Sequence, residues 1–403
     1  ISLSNLNDDQ MAHAKSGMWW ENEGQRALAN NSVAYKTKPE MGTFMREWVS
    51  LYESKSGERG IFNRESAKKQ AAKNGRRDVE HDFGCNPCSE IILRPYQFCN
   101  LSEVVARAGD TEHTLATKVG LATILGTFQS TMTNFKYIRK IWQKNTEEER
   151  LLGVSLTGIM DNEMLSGNSA TLGKNIGATL ELLREVAVQT NKGMAKKLGI
   201  PQSTAITCVK PSGTVSQLVD SASGIHARHN PHYIRTVRGD NKDPLTQFLI
   251  SEGIPAEPDV MKPDSTTVFS FPMKSPNAAV TRTEMTAIEQ LDLWLLYQRH
   301  WCEHKPSVTI SVKENEWMSV GSWVYEHFDE VSGISFLPFS DHTYAQAPYQ
   351  DCTKDEYKEM LSKMPKAVNW NKLSDFEKED TTSGGRELAC TAGVCEVVDL
   401  TAA

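Results

Sequence analysis

A thiol, an amide and a carboxylate alternate along one short stretch, residues 84–90, which reads Gly-Cys-Asn-Pro-Cys-Ser-Glu. Its glycine and proline disfavour a helix, so the stretch predicts a tight loop that enters a strand. In extended chain, residues i and i+2 point the same way, so Asn86, Cys88 and Glu90 are expected to face one substrate together. A sulfur suits redox or radical chemistry, an amide orients a hydroxyl, and a carboxylate serves as a general base.

The same cysteines allow other interpretations. The spacing Cys85-x-x-Cys88 is that of half a zinc site or of a thioredoxin-like redox pair. A second Cys-x-x-Cys is missing from the sequence, which weakens the zinc interpretation, so we predict no metal site. A lone cysteine commonly packs as a small hydrophobic side chain. Four cysteines are interpreted in this way: Cys85, Cys208, Cys302 and Cys352.

A second candidate motif, Pro211-Ser-Gly-Thr-Val-Ser216, directly follows a predicted strand. Small hydroxyl residues around a glycine can present N–H and O–H donors to a phosphate, and a plain strand-to-helix turn is the alternative. It lacks the lysine of the Walker pattern, so ATP hydrolysis is not indicated. Asn31 and Ser32 lie in a polar turn that enters another predicted strand. The candidate phosphate-binding residues are Pro211, Ser212, Gly213, Thr214, Val215 and Ser216.

Three histidines, His226, His229 and His232, recur at every third position. Proline and asparagine break any helix there, and the run holds no carboxylate or thiol, so a metal site is disfavoured. We expect these residues, with Arg228 and Arg235, to line a phosphate or cofactor site instead.

The composition limits the class of protein. The chain has 403 residues, enough for one large α/β domain or two ordinary ones. Its net charge of −7 argues against a general nucleic-acid binder. No stretch approaches the roughly 18 continuous apolar residues of a membrane span.

Eight cysteines without a signal peptide favour a reducing cytoplasm over a disulfide scaffold. Because the chain begins at Ile1 inside a predicted strand, we interpret it as the carboxy-terminal portion of a longer or split protein.

The hydrophobic pattern predicts helices that alternate with buried strands, which is typical of an α/β fold with parallel pairing. The predicted helices span 42–54, 111–137, 172–198 and 283–300, and the predicted strands span 151–158, 203–210 and 305–312. In the helix over 111–137, we expect one apolar side formed by Leu115, Val119, Leu121, Leu125 and Phe128. A basic helix through Arg77 is expected to present a solvated face of Lys68, Lys69, Lys73, Arg76 and Arg77.

Four motifs occur in a characteristic order: Asn-Pro-Cys-Ser-Glu, a second cysteine (Cys99) eleven residues after Cys88, the Pro-Ser-Gly-Thr motif, and a terminal Cys390-x4-Cys395. This order resembles that of the ribonucleotide reductases along the whole chain. The short gap from Cys88 to Cys99 is most similar to the adenosylcobalamin-dependent class, class II, which is sometimes found in phages. The resemblance places the protein in the cytoplasm of a bacterium or a phage-infected host.

The resemblance implies a ten-stranded α/β barrel made of two half-barrels, with the radical cysteine on a central finger loop. This chain would carry the end of the first half, the finger loop around 84–90 and all of the second half, incomplete at its amino terminus. Residues 1–376 would form this catalytic portion, and residues 377–403 a flexible redox tail.

The resemblance also implies roles for the site residues. Cys88 would carry a thiyl radical generated with adenosylcobalamin and remove the 3'-hydrogen of a ribonucleotide. Glu90 would act as base toward the 3'-hydroxyl, and Asn86 would orient the substrate. Cys99 would belong to the dithiol that reduces the substrate radical, and Cys390 and Cys395 would regenerate that dithiol with thioredoxin or a similar reductant.

The remaining implied roles concern the substrate and the cofactor. Asn31 and Ser32 resemble a loop beside the substrate base, and residues 211–216 resemble the loop that holds the substrate phosphates. His226 and His229 are candidates for cofactor contacts. The substrate is either a ribonucleoside diphosphate or a ribonucleoside triphosphate, and the sequences of the motifs favour the triphosphate.

One departure from the family qualifies this interpretation. The family's partner for Cys99 lies on an early barrel strand, and no cysteine precedes Cys85 here. An amino-terminal segment or a separate chain must supply it, so the chain alone is expected to be inactive. Two alternatives remain. One is a reductase whose radical is generated by a separate metalloprotein subunit. A pair of tyrosines near the carboxy terminus would favour this alternative, and the sequence has no such pair. The other is a zinc-binding structural or interaction protein that uses Cys85, Cys88, Cys390 and Cys395.

Overall fold

The computed structural model describes residues 1–16, 29–167, 176–339 and 345–378. The chain divides into two compact units. The first unit comprises residues 1–227, 278–280 and 284–339, and the second comprises residues 228–277, 281–283 and 340–403. The expected single catalytic portion, residues 1–376, therefore contains a division that the sequence did not predict.

The strands are β1 Ser2–Ser4, β2 Asn31–Tyr35, β3 Gly60–Asn63, β4 Gly84–Cys85, β5 Ile92–Leu93, β6 Asn100–Val105, β7 Leu152–Thr157, β8 Thr207–Cys208, β9 His232–Asp240, β10 Ala256–Pro258, β11 Thr266–Lys274, β12 Thr309–Val312, β13 Gly333–Pro338 and β14 Tyr349–Asp351. The helices are α1 Asp9–Ala12, α2 Met41–Ser54, α3 Arg64–Ala72, α4 Glu112–Gln129, α5 Lys140–Glu149, α6 Glu163–Ser166, α7 Ile176–Leu198, α8 Gly213–Leu218, α9 Pro244–Ser251, α10 Ala287–His300, α11 Trp317–Glu326, α12 Lys354–Lys363 and α13 Leu373–Phe376.

Two sheets dominate the first unit. One is five-stranded, in the order β1-β2-β3-β13-β12, and the other is three-stranded, in the order β6-β7-β8. Strands β1, β2 and β3 are mutually parallel, and β13 lies antiparallel to β3. Strands β6, β7 and β8 are also mutually parallel, as are β12 and β13. The antiparallel junction at β3 and β13 therefore joins two sets of parallel strands.

The two sheets are connected just beyond β8. Val209 forms an isolated parallel bridge with Pro306, three residues before β12. Val209 N–H donates to the Lys305 carbonyl at 3.2 Å, and Ser307 N–H donates to the Val209 carbonyl at 2.8 Å. One continuous ladder therefore runs β6-β7-β8-β12-β13-β3-β2-β1, with a parallel set on each side of the antiparallel junction.

Helices cover this ladder because their apolar stripes need a partner. α10 begins with a capping box between Thr286 and Glu289. Its buried indoles reach the ladder: Trp294 Nε1 donates to the Pro306 carbonyl at 2.8 Å, and Trp301 Nε1, just past the helix, donates to the Cys208 carbonyl at 2.7 Å. These bonds fix the junction between β8 and β12 from the outside.

The helix and strand predictions are largely confirmed, with shifted ends. Helices α7 and α10 fall inside the predicted ranges, α2 begins one residue before its predicted range, and β7 is the predicted buried parallel strand. The strand predicted over 203–210 is regular only at Thr207–Cys208, and the helix predicted over 111–137 ends at Gln129. Residues 172–175 of the predicted helix over 172–198 lie outside the described residues.

The predicted apolar side of α4 is partly wrong. Leu115 and Val119 are buried, but Leu121, Leu125 and Phe128 are 58%, 66% and 47% exposed. The buried stripe continues from Val119 through residues 122, 123, 126 and 127, which share one helical face. Leu121, Leu125 and Phe128 lie on the opposite face.

The basic face predicted up to Arg77 is also partly wrong, because α3 ends at Ala72 and its last arginines are engaged in ion pairs. Arg76 Nη2 lies 2.6 Å from Glu303 Oε2. Arg77 is buried against Glu149, with Nε 2.9 Å from Oε1. These arginines fasten the segment after α3 and do not form a solvated face.

The second unit contains a four-stranded sheet in the order β10-β11-β9-β14, in which every neighbouring pair is antiparallel. Helices α9, α12 and α13 belong to the same unit. Across the described residues, no helix is both long enough and apolar enough to span a bilayer.

Candidate active site

The stretch 84–90 forms the tip of a hairpin in the first unit. β4 and β5 pair antiparallel, with Cys85 opposite Ile92, and the chain between them turns back so that Ser89 N–H donates to the Asn86 carbonyl at 2.9 Å. Ser89 adopts a left-handed backbone with φ of 67°. The predicted tight loop is found, but residues 86–90 are a turn and not the extended segment from which a common orientation was inferred. We call residues 86–90 the finger loop.

Asn86 stabilises the finger loop from within. Its Oδ1 accepts from Ile91 N–H at 3.0 Å, which satisfies a backbone donor on the far side of the turn. Asn30 Nδ2 also donates to the Pro87 carbonyl at 3.3 Å, so the residue before β2 touches the loop. Any contact of the Asn86 side chain with a substrate therefore falls to Nδ2.

Three residues of the stretch 304–307, His304, Lys305 and Ser307, contact the finger loop and the start of β5. Ser307 Oγ donates to the Cys88 carbonyl at 2.6 Å, and Lys305 Nζ donates to Ser89 Oγ at 2.7 Å. Lys305 N–H donates to the Glu90 carbonyl at 3.1 Å. His304 Nδ1 accepts from Ile92 N–H at 3.3 Å. We call residues 304–307 the finger clamp.

His304 is a fixed, neutral part of the finger clamp. Because Nδ1 accepts from Ile92, Nε2 carries the proton and donates to the Leu152 carbonyl at 3.0 Å. Complete burial lowers the pKa of His304 well below its ordinary value. The imidazole therefore links β5 to β7 as an uncharged group.

Glu90 is completely buried, and neither carboxylate oxygen has a hydrogen-bond partner among the described residues. The nearest cation is Lys210, whose Nζ lies 3.7 Å from Oε1. Burial opposes the charge of Lys210, but the nearby acidic groups, Glu90 and Cys88 foremost, raise the pKa of its ammonium. Two free acceptor oxygens beside a cation suit a base that meets a hydroxyl donor from a substrate.

A second carboxyl group, Glu103 on β6, lies in the same electrostatic neighbourhood. Burial raises the pKa of Glu103, Lys210 lowers it, and the charge of Glu90 raises it further. β6, β7 and β8 place Glu103 beside Ser155 and Ser155 beside Cys208. Lys210 N–H donates to Ser155 Oγ at 2.8 Å, which keeps the lysine at this point of the ladder.

Cys99 lies directly before β6, close enough to Glu90 for their charges to interact. Burial, reinforced by the Glu90 carboxylate, raises the pKa of the Cys99 thiol well above its ordinary value. The residue therefore stays a protonated thiol at neutral pH. Such a group donates a hydrogen atom or a proton more readily than it attacks as a thiolate.

Asn31 and Ser32 are buried and belong to β2, so they are not the turn that the sequence suggested. Both amide atoms of the Asn31 side chain are buried without a hydrogen-bond partner among the described residues. Asn31 N–H donates to Glu58 Oε2 at 3.0 Å, and Glu58 pairs with Lys15 at 3.2 Å. An amide left unsatisfied in this way can bind a polar ligand.

The Pro-Ser-Gly-Thr motif follows β8 and Lys210, and Gly213 begins α8. Ser212 is buried in a left-handed conformation with φ of 55°, and Ser216 is buried on the inner side of α8. Thr214 and Val215 are exposed. The segment is therefore a strand-to-helix turn at the carboxyl end of a parallel strand, where α/β sheets commonly bind ligands.

The histidine candidates separate between the two units. His226, in the first unit, uses both ring nitrogens: Nδ1 donates to the Ser223 carbonyl at 3.0 Å, and Nε2 accepts from Thr309 N–H at 3.1 Å. Burial lowers the pKa of His226. No ring nitrogen remains free for a cofactor, so His226 is better explained as a packing residue.

His229 and His232 belong to the second unit. His229 Nε2 lies 2.7 Å from Asp351 Oδ1, and Arg282 Nη2 lies 3.2 Å from the same oxygen. Arg235 stacks over the Tyr349 ring at 4.5 Å. The described residues contain no group of three or more His, Cys, Asp or Glu side chains that could hold a metal ion. Cys390 and Cys395 lie outside the described residues.

Sequence reasoning missed several of the groups around the finger loop: Lys210, Glu103, His304, Lys305 and Ser307. Lys210 directly precedes the Pro-Ser-Gly-Thr motif, and Glu103 follows Cys99 at i+4, so proximity to a motif was an available signal. Residues 305–307 lie at the start of the strand predicted over 305–312, and His304 directly precedes it. Only the tertiary structure brings them beneath Cys88.

Comparisons with known proteins give a consistent result. Among curated proteins, the chain is similar to adenosylcobalamin-dependent ribonucleoside-triphosphate reductases. It is 28% identical over 332 residues to that of Euglena gracilis, covering 80% of this chain and 43% of the relative. It is 24% identical over 405 residues to that of Lactobacillus helveticus, covering 92% and 53%. The chain thus spans about half the length of the curated relatives it matches. A scan against protein-family models found no match.

The fold is similar to that of solved structures of the same kind. A B12-dependent class II ribonucleotide reductase superimposes with a TM-score of 0.73 at 22% identity, covering 93% of this chain and 55% of that one. The class Id alpha subunit of Actinobacillus ureae gives a TM-score of 0.51 at 15% identity, covering 73% and 61%. These likenesses confirm the expected fold class.

Proposed function

We propose that this chain, a homologue of the adenosylcobalamin-dependent ribonucleoside-triphosphate reductases, carries the radical site that reduces ribonucleotides to 2'-deoxyribonucleotides. The observation that carries the proposal is the finger loop, where Cys88 is held next to the buried Glu90 carboxylate and the Lys210 ammonium. The names of the relatives favour this reading over a separate radical-generating subunit and over a zinc-binding structural protein. They also favour a triphosphate substrate.

The unsatisfied polar atoms fit a ribose. The two Glu90 oxygens accept from a hydroxyl, and the Asn31 amide atoms can accept and donate. Residues 211–216 supply backbone and hydroxyl donors for the substrate phosphates, and Lys210 contributes a positive charge beside Glu90. A polar substrate would thereby satisfy groups that are costly to leave unpaired.

The chain's residues divide the chemistry among them. The Cys88 thiyl radical takes the 3'-hydrogen, which leaves a radical at the 3'-carbon and restores the thiol. Glu90 accepts the proton of the 3'-hydroxyl, and the 2'-hydroxyl leaves as water with a proton from the dithiol that includes Cys99. That dithiol is oxidised to a disulfide as it also supplies a hydrogen atom to the 2'-carbon and an electron to the resulting 3'-ketone. Glu90 then returns the proton to the 3'-oxygen, and the Cys88 thiol returns the hydrogen to the 3'-carbon, which regenerates the thiyl radical. Asn86 orients the substrate through Nδ2.

Adenosylcobalamin, when bound, supplies the one-electron chemistry that generates the radical on Cys88. The structure suits this cofactor at the sulfur, because Cys88 is partly exposed at the tip of the finger loop. His226 does not suit a role as cobalt ligand, because both its nitrogens are engaged.

Three further parts of the proposal concern partners and location. Cys390 and Cys395 pass electrons from thioredoxin or a similar reductant to the dithiol of Cys99. A segment or chain that completes the barrel provides the second cysteine of that dithiol. The protein acts in the cytoplasm, and this chain alone does not turn over.

The test is a reduction assay on the protein supplied with the completing segment, with adenosylcobalamin, a ribonucleoside triphosphate and a dithiol. We expect deoxyribonucleotide from the wild type and from Cys352→Ser, and no detectable product from Cys88→Ser. Cys352 is a matched control because it is a partly buried cysteine of the second unit.

Product that forms without adenosylcobalamin but requires an added metalloprotein would contradict the cofactor assignment. Product from Cys88→Ser at the wild-type rate would contradict the radical assignment. Stoichiometric zinc that is lost in Cys88→Ser, with no reduction by any variant, would favour a zinc-binding protein instead.

A further inference from the structure

Lys305 is a completely buried lysine beneath the finger loop. Its side chain is 0% exposed, and no carboxylate lies within 4.0 Å of its ammonium among the described residues. Burying an amine without a counter-charge is costly, so such groups are rare unless they have a task. Lys305 has no part in the chemistry described above.

The surroundings of Lys305 direct its amine toward the finger loop. Nζ donates to Ser89 Oγ at 2.7 Å and to the Ser332 carbonyl at 3.3 Å, and lies 4.6 Å from the centre of the Phe62 ring. These partners occupy the directions in which an amine can interact. Gly333 leaves the space for it, since a Cβ there would lie 2.5 Å from Nζ and 2.6 Å from Ser89 Oγ.

Ser89 is the residue whose conformation sets the loop. It stands between Cys88 and Glu90 and adopts a left-handed backbone that residues other than glycine rarely take. Such a conformation persists only when its surroundings hold it. The side chain of Lys305 holds the Ser89 hydroxyl, and the backbone of Lys305 holds the next carbonyl, that of Glu90.

We propose that Lys305 is a positioning residue that holds the finger loop in the shape that presents Cys88 and Glu90, a role that rests on the proposed reductase function. It acts through Ser89 and does not touch the substrate. Burial lowers the pKa of Lys305 to about 8, so the amine gives up its proton easily and still donates hydrogen bonds when neutral.

The experiment uses the full protein in four variants: Lys305→Met, Ser89→Ala, the double variant and the control Lys118→Met. Lys118 also donates to a backbone carbonyl, that of Val105, at 3.0 Å, but lies on α4. Two quantities are measured. One is the rate at which iodoacetamide alkylates Cys88, relative to Cys352 in the same sample, by mass spectrometry. The other is the pair kcat and KM for ribonucleotide reduction.

We expect Lys305→Met and Ser89→Ala to raise the relative alkylation rate of Cys88 about three-fold or more, because the loop opens more often. We expect kcat of Lys305→Met to fall about 100-fold, the size of effect that a misplacement of reacting groups by about 1 Å produces, with KM nearly unchanged. The double variant should be no slower than Lys305→Met alone, because both changes remove the same contact.

Two results would overturn the proposal. The first is a Cys88 alkylation rate in Lys305→Met and Ser89→Ala equal to that in Lys118→Met. The second is a double variant whose loss equals the product of the single losses, since Lys305 would then not act through Ser89. If Lys305→Met does not fold, Ser89→Ala decides, because it removes only a hydroxyl. If the wild type forms no deoxyribonucleotide, the reductase function fails while the alkylation comparison still decides the positioning role.

Discussion

The acid–base chemistry of the site depends on three charged residues that interact electrostatically with one another. Glu90 and Glu103 are two carboxyl groups with Lys210 as their common cation. The pKa of Glu103 is raised mainly by burial, and that of Lys210 is raised by the acids around it. The lysine therefore stays charged and favours the ionised form of Glu103.

Replacing Lys210 by methionine removes this cation while keeping the volume of the side chain. The pKa of Glu103, which Lys210 lowers, should then rise, so this carboxyl is protonated at a higher pH. We expect the acid limb of the kcat/KM profile to move upward by about one pH unit or more. The profile of deoxyribonucleotide formation from pH 5 to 9 measures this shift.

Lys210→Arg is the matched control, because it retains the charge and should keep the acid limb within a few tenths of the wild-type position. An acid limb that does not move in Lys210→Met would show that Lys210 does not set the protonation of Glu103.

Among the elements, the finger loop shows what the sequence could and could not predict. Glycine and proline predicted its turn, since both act through local backbone geometry. The clamp at 304–307 was not predictable, because its contacts with Cys88, Ser89 and Glu90 join residues more than two hundred positions apart. Local patterns carry no signal for such pairings.

The arginines after α3 also show that a local sequence pattern does not predict contacts between distant residues. The run of basic residues reads as a solvated face, because charged residues are usually exposed. Arg77 is instead buried, with Nε and Nη2 each donating to Glu149 at 2.9 Å, and its guanidinium lies 4.8 Å from the Phe83 ring. Only the position of α5, which ends at Glu149, reveals the partner.

The buried pair of Arg77 and Glu149 is expected to contribute to the free energy of unfolding. Arg77→Met leaves the Glu149 carboxylate buried without its main partner, which should lower the free energy of unfolding by about 3–5 kcal/mol. Arg299→Met, which breaks an exposed pair with Glu330, should cost at most about 1 kcal/mol. Urea unfolding followed by tryptophan fluorescence measures both variants.

A double variant, Arg77→Met with Glu149→Gln, should recover part of the lost free energy, because it removes the buried charge. Equal losses in Arg77→Met and Arg299→Met would show that the Arg77 pair does not hold the segment after α3 to α5.

At the scale of the whole molecule, the strand ladder fits the half-barrel arrangement that the family resemblance implied. The parallel strands β6, β7, β8, β12 and β13 fit a complete half-barrel, and β1 to β3 fit the end of the other half. The period of apolar residues predicted most of these strands, but not their order, because each reads alike as a short apolar run. The family resemblance supplied the topology that periodicity could not.

The free energy of unfolding of the whole protein is expected to depend on pH, because Lys305 is buried under the ladder. Its pKa falls from an ordinary value of 10.5 to about 8 in the folded protein. Between these values the unfolded chain binds the proton and the folded protein does not, so stability rises as the pH rises through this window. The free energy of unfolding of the wild type, relative to Lys305→Met, should therefore increase by about 2 kcal/mol between pH 7.5 and pH 10.

Urea titrations at both pH values measure this difference, and subtracting the variant removes the contributions of groups that titrate in both proteins. The buried Trp294 and Trp301 report on the unit that contains Lys305. A difference that stays constant or falls with pH would mean that the amine remains charged in the folded protein.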